Sequence, residues 1–116
     1  MDVPALQAEL ARFAAERDWD QFHSPKNLSA ALAVEAAELL EIFQWMTEEE
    51  SEEVASGGAK AEDVRHELAD VQIFLLRLAD RLNVDLEGAV KEKMAINGAR
   101  YPVEMSKGNA TKYTDF

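Results

Sequence analysis

Two amphipathic segments of this chain each carry a pair of acids in the middle of the apolar stripe. Projected at about 100° per residue, Leu28, Leu32, Leu39, Ile42 and Met46 share one stripe with Glu35 at its centre. On a second segment Val64, Val71, Phe74, Leu78 and Leu82 form a stripe centred near Glu67. Three positions on from each central acid stands another, Glu38 and Asp70, rotated to the same edge. A carboxylate on a core face costs several kcal/mol unless something compensates its charge. Two helices that repeat this arrangement, with 28 residues between Glu38 and Glu67, call for a shared compensator. A divalent cation fills that role.

The rest of the chain also reads as helix. Val3, Leu6, Leu10, Phe13 and Ala14 lie on one face of a first helix, with Pro4 tolerated in its opening turn. Residues 18–27 break the period. Ser24-Pro25 then supplies an N-cap and a first helical position for a helix over about 26–46. Gly57 and Gly58 separate this from a third helix over about 60–82, with a cluster of five glutamates at 48–50, 52 and 53 forming a solvated loop or short helix between them. Asn83 and Asp85 end that helix and cap the next, which runs to about Asn97 with Gly98 as a stop signal. After Pro102 the composition turns polar. The expectation is an all-α, antiparallel four-helix bundle over residues 1–102, with an irregular tail over 103–116. So small a domain has limited interior, so completion by oligomerisation is expected.

Composition removes several function classes. The chain has 116 residues and a formal net charge of −11, the wrong sign for a duplex nucleic-acid binder. It has no cysteine, hence no disulfide, thiolate metal site or cysteine nucleophile. The most apolar run, from Val71, is interrupted at Arg77, too short to span a bilayer. The opening Met-Asp-Val-Pro lacks the basic start and apolar stretch of a secretory signal. A cytoplasmic protein, with no membrane partner, is expected.

Carboxylates converging from two helices suit hard cations, magnesium or alternatively manganese, and phosphoryl chemistry is their natural use. The structural alternative pairs these acids with Arg77, Arg81 or Lys93; Arg77 stands seven positions after Asp70 on the same side. A di-iron bundle would need Glu-x-x-His units, whereas His66 is adjacent to Glu67 and His23 lies outside the helices. On the fourth helix, Lys93 and Asn97 continue the line of Leu86 and Val90, and Arg100-Tyr101-Pro102 follows. These cations either hold phosphate oxygens or simply snorkel and end the helix. Trp19, Phe22 and His23 cluster ahead of the second helix and Trp45 near its end, placed either to sandwich a nucleobase or to fill core and interface.

Glu35-x-x-Glu38 followed by Glu67-x-x-Asp70 resembles the metal signature of the MazG-like all-α nucleoside triphosphate pyrophosphohydrolases, nearest to their dCTP pyrophosphatase branch. Glu16-Arg-Asp-Trp-Asp-Gln-Phe-His23, Pro25-Lys-Asn-Leu28, Leu40-Glu-Ile-Phe-Gln-Trp45, Val84-Asp-Leu86, Lys93-x-x-x-Asn97, Arg100-Tyr-Pro102 and Lys112-Tyr-Thr-Asp115 are similar to it as well. The resemblance implies hydrolysis of a nucleoside triphosphate between the α and β phosphates, to monophosphate and pyrophosphate, as nucleotide-pool sanitation. It implies magnesium on Glu35, Glu38, Glu67 and Asp70. Glu35 or Glu38 would activate the water, with Glu38, nearer solvent, the first choice. It implies phosphate or sugar contacts from Lys93, Asn97, Arg100 and Tyr101, a base pocket shaped by Trp19, His23 and Trp45, and a homodimer or homotetramer. Two departures stand out: Leu10 and Phe74 occupy positions where dCTP-specific relatives carry a histidine and a tyrosine, which leaves the base preference open. A non-catalytic helical interaction module is the alternative reading.

Overall fold

The computed structural model describes the whole chain, Met1–Phe116, and contains helices and turns without a strand. Its elements are α1 (Val3–Glu16), α2 (Pro25–Phe43), α3 (Glu48–Glu53), α4 (Ala59–Arg81), α5 (Leu86–Arg100) and α6 (Val103–Ser106), with single 3-10 turns at Asp20–Phe22, Val54–Ser56 and Tyr113–Asp115. The all-α expectation is borne out. The chain forms two compact units, Met1–Asn83 and Val84–Phe116.

The expected start signals operate as side-chain caps. Ser24 Oγ accepts from the Asn27 amide at 3.1 Å with Pro25 opening α2, and Asp85 accepts from Gly88 at 3.2 Å to start α5. The glutamate cluster becomes the short helix α3, started by a reciprocal box in which Thr47 and Glu50 each bond the other's backbone amide. Gly57 and Gly58, at φ 112° and 98°, turn the chain into α4. Asn83, at φ 55°, ends it as a left-handed residue.

The structure departs from the expected boundaries in three places. Helix α2 stops at Phe43, so Trp45 and Met46 lie beyond it in a turn. Gly98 does not stop α5, which continues to Arg100, where Pro102 prevents further extension. The segment after Pro102 is not wholly irregular. It forms α6 and then a 3-10 turn, where Tyr113 and Phe116 both meet Tyr101 edge-on and Arg100 stands over the Tyr113 ring.

Within the first unit α2 and α4 lie antiparallel. His23, just ahead of α2, meets Arg77 near the end of α4, and Glu35 meets Glu67 midway. Ile42, near the end of α2, shares a cleft with Lys60 and Asp63 at the start of α4. Helix α1 packs on α4, and Gln7 donates to the Leu76 carbonyl at 3.0 Å. The core is small: Ala14, Leu28, Leu76 and Ala79 are its only fully buried apolar residues. Leu28 is the more deeply buried of the two leucines among them, so Leu28→Ala is expected to cost about 2–5 kcal/mol of unfolding free energy, measured by urea denaturation.

Candidate active site

The antiparallel register brings acids from the two helix centres face to face. One carboxylate oxygen each from Glu35, Glu38 and Glu67 lies within 4.8 Å of the others. None of the three, nor Asp70, pairs with Arg77 or Arg81, so the salt-bridge alternative for those arginines does not hold. Oε2 of Glu35 and Oε2 of Glu67 are buried without any hydrogen-bond partner. Buried acceptors are seldom left so. The Glu35 carboxyl is pushed up to about 7 by a hydrogen bond with Glu67, next by burial, and then by the hydrogen bond and charge of Glu38 and the charge of Glu67. Crowded anionic oxygens with orphaned lone pairs and no protein cation fit a hard divalent ion, which would replace the shared proton.

Asp70, one turn after Glu67, stands outside this trio. It lines an adjoining cavity of about 480 Å3, mostly apolar, together with Leu10, Phe13, Trp19, His23 and Phe74. On the other side, Glu38 and Glu67 border an open cleft of about 440 Å3 with Glu41, Asp63, Lys60 and His66. His66 leans to Glu62, at 3.7 Å, and does not join the trio, consistent with the absence of a Glu-x-x-His unit.

The loop ahead of α2 is shaped by the end of α1. The Trp19 amide donates to the Ala14 carbonyl at 2.8 Å and Asp18 to Ala15 at 3.1 Å, with Asp18 at φ 55°. These are the two bonds of a Schellman ending, and they fold Trp19 back onto Phe13, ring centroids 5.7 Å apart and near edge-on. His23 follows with its ring 6.3 Å from Trp19. Trp45 is 90% exposed and is not brought to this cavity, because α2 ends before it. Lys93, Asn97, Arg100 and Tyr101 belong to the second unit, on and just after α5.

Arg77 is the residue that spacing alone misplaced. It is 5% exposed and pairs not with Asp70 but with Asp20, at 2.7 Å, with Asp80 at 3.7 Å, and donates Nε–H to Nδ1 of His23 at 3.3 Å. Its place seven positions after Asp70 on the same side was visible, but its loop partners, His23 and Asp20, are 54 and 57 residues away in sequence. Burial and the charge of Arg77, reinforced by Arg81 and opposed by Asp20, hold the His23 imidazole below its ordinary range, which favours the neutral ring.

A family model described as MazG-like family matches residues 30–116. The chain belongs to the MazG-like family. The match contains all four acids. The dCTP pyrophosphatase 1 of Bos taurus is 49% identical over 114 residues, covering 98% of this chain and 66% of that protein. That of Homo sapiens is 46% identical over 98% of this chain and 65% of its own length. The chain thus spans about two thirds of these curated relatives. A crystal structure of a pyrophosphatase from Archaeoglobus fulgidus superposes with a TM-score of 0.81 at 40% identity, over 88% of this chain and 94% of that one.

The crowding of acids has a measurable consequence in metal-free protein. Glu35 holds its proton up to about 7 in the folded state against 4.5 otherwise. The fold therefore binds the extra proton between those values, and its stability falls as pH rises through that window. Thermal unfolding in EDTA should show this decline from about pH 4.5 to 7, and Glu35→Gln should flatten it. Saturating magnesium should raise the melting temperature most at the alkaline end, where the vacated carboxylate binds the ion.

Proposed function

We propose that the chain is a magnesium-dependent nucleoside triphosphate pyrophosphohydrolase acting on dCTP or related deoxypyrimidine triphosphates in the cytoplasm. The observation that carries this reading is the buried, unpartnered oxygen pair of Glu35 and Glu67 beside a cavity lined by aromatic rings. The relatives named as dCTP pyrophosphatase 1 and as a pyrophosphatase support it. No helix is long and apolar enough to cross a membrane.

Glu35, Glu38 and Glu67 would hold the ion, with Asp70 available one turn on; manganese would substitute. The chemistry such a cation would supply there is charge neutralisation for the phosphates and acidification of water. Glu38 then takes the proton of the attacking water, whose oxygen bonds to the α-phosphorus. The bond from that phosphorus to the α–β bridging oxygen breaks, and pyrophosphate leaves with the electron pair. Trp19 and Phe74 flank the base, and Asp70 and His23 supply polar atoms to the same cavity. Lys93, Asn97, Arg100 and Tyr101 engage phosphate and sugar, and Trp45 completes the base site in the assembled protein.

That assembly is a homodimer or homotetramer. Val34, Leu40, Leu68, Val90 and Met94 are all more than half exposed, and α5 buries no residue at all. Such a surface is more apolar than an isolated unit of this size needs.

A panel of dNTPs and NTPs with magnesium, scored for pyrophosphate against orthophosphate, tests the reading. Pyrophosphate from deoxypyrimidine substrates is expected, and orthophosphate alone would overturn it. Glu38→Gln should lower kcat by about 10²–10⁴-fold, and Asp70→Asn should lower kcat/KM, each with the circular dichroism spectrum retained. A non-catalytic module would have no turnover to lose. Leu10→His with Phe74→Tyr returns polar groups to the cavity and should raise kcat/KM for dCTP relative to dTTP.

A further inference from the structure

Arg77, 5% exposed, is among the residues lining the candidate base cavity, and the mechanism above leaves it without a task. A buried cation needs compensation. Asp20 provides it at 2.7 Å and Asp80 assists at 3.7 Å, leaving Nε–H for His23 Nδ1 at 3.3 Å. Asp20 and His23 belong to one loop, and Arg77 belongs to α4, so a single side chain ties the loop to the helix that carries Glu67 and Asp70.

An arginine has only donors, so the nitrogen it faces must be the unprotonated one. A neutral imidazole whose Nδ1 accepts has its hydrogen on Nε2. His23 Nε2 has no partner within the protein, and His23 lines the cavity with Trp19, Asp70 and Phe74. We propose that Arg77 is a positioning residue for substrate recognition, holding His23 as the Nε2–H tautomer so that the cavity presents a fixed donor. The base it suits carries an in-plane acceptor, a ring carbonyl or unprotonated ring nitrogen such as a pyrimidine O2 or N3. This rests on the proposed reading of the cavity as the base site of a nucleotide hydrolase.

The Arg77–His23 arrangement is set by geometry around a neutral ring. Asp20, at 53% side-chain exposure, returns to water when Arg77 is removed, so Arg77→Met leaves no buried unpaired acid.

The test combines ring nitrogen NMR with steady-state kinetics on dCTP and magnesium, using the full chain. In the wild type, two-bond nitrogen–proton couplings of His23, assigned by their loss in His23→Gln, should show Nε2–H. In Arg77→Met the ring should populate the Nδ1–H form, and KM should rise about tenfold, the scale of one hydrogen bond, with kcat within about twofold, the pattern of lost uniform binding. Glutamine places an amide N–H near the Nε2 position without needing Arg77, so the double variant Arg77→Met with His23→Gln should recover most of the lost KM. A wild-type ring protonated at Nδ1 would overturn the proposal, whether or not Arg77→Met folds. A rise in KM with an unchanged tautomer, or a double variant no better than Arg77→Met, would also overturn it by reducing Arg77 to a structural clamp. If the wild type releases no pyrophosphate from any nucleotide, the functional reading fails on its own. The NMR arm then still decides whether Arg77 sets the ring.

Discussion

Like charges gathered at the centre of a helix pair govern this molecule. Glu35, Glu38 and Glu67 lie within 4.8 Å of one another, a distance at which three ionised carboxylates repel strongly in a partly buried setting. Without a metal that repulsion is relieved by the Glu35 proton, held up to about 7 by Glu67, by burial and by Glu38. The alternative relief is a cation. A site that exchanges a proton for a metal ion couples ion binding to pH and to stability, since whatever fills it also joins α2 to α4 at mid-length.

The antiparallel register decides what surrounds those acids. Because His23 meets Arg77 at one end and Ile42 shares a cleft with Lys60 at the other, the carboxylates fall between two different chambers. One is apolar and ringed by Trp19, Phe74 and His23; the other is open and mainly acidic, lined by Glu38, Glu41, Asp63 and Glu67 with Lys60 and His66. In the proposed reading the base enters the apolar chamber, and bound cations would reconcile the phosphates with the acidic one. The loop that walls the apolar chamber is held by backbone ending geometry at Ala14–Trp19 and by Arg77, rather than by a buried core of its own.

Few large side chains are fully buried, and the second unit keeps Val90, Met94 and Val103 open. Contacts with other subunits would supply the stability that such marginal single-chain burial leaves wanting. In the proposed assembly, association and substrate recognition depend on one another, through Trp45 and the cations of α5.

Much of this was legible in the chain because it is local. Helix periodicity, the caps at Ser24 and Asp85, and the two acid pairs depend on neighbours three or four positions away, and local sterics and hydrogen bonding act over that range. The resemblance to MazG-like proteins rested on the same short motifs and held. Boundaries were less secure: α2 ends at Phe43 and α5 passes through Gly98, since glycine lowers helix propensity without forbidding a helix. What only the tertiary structure decided is which acids meet, that Asp70 turns to the aromatic cavity, and that Arg77 joins Asp20 and His23 instead of Asp70. The acids meet across two separate helices, and the loop partners of Arg77 lie more than 50 residues from it in sequence. These pairings are set by how two helices register against each other, and periodicity within either helix carries no information about that.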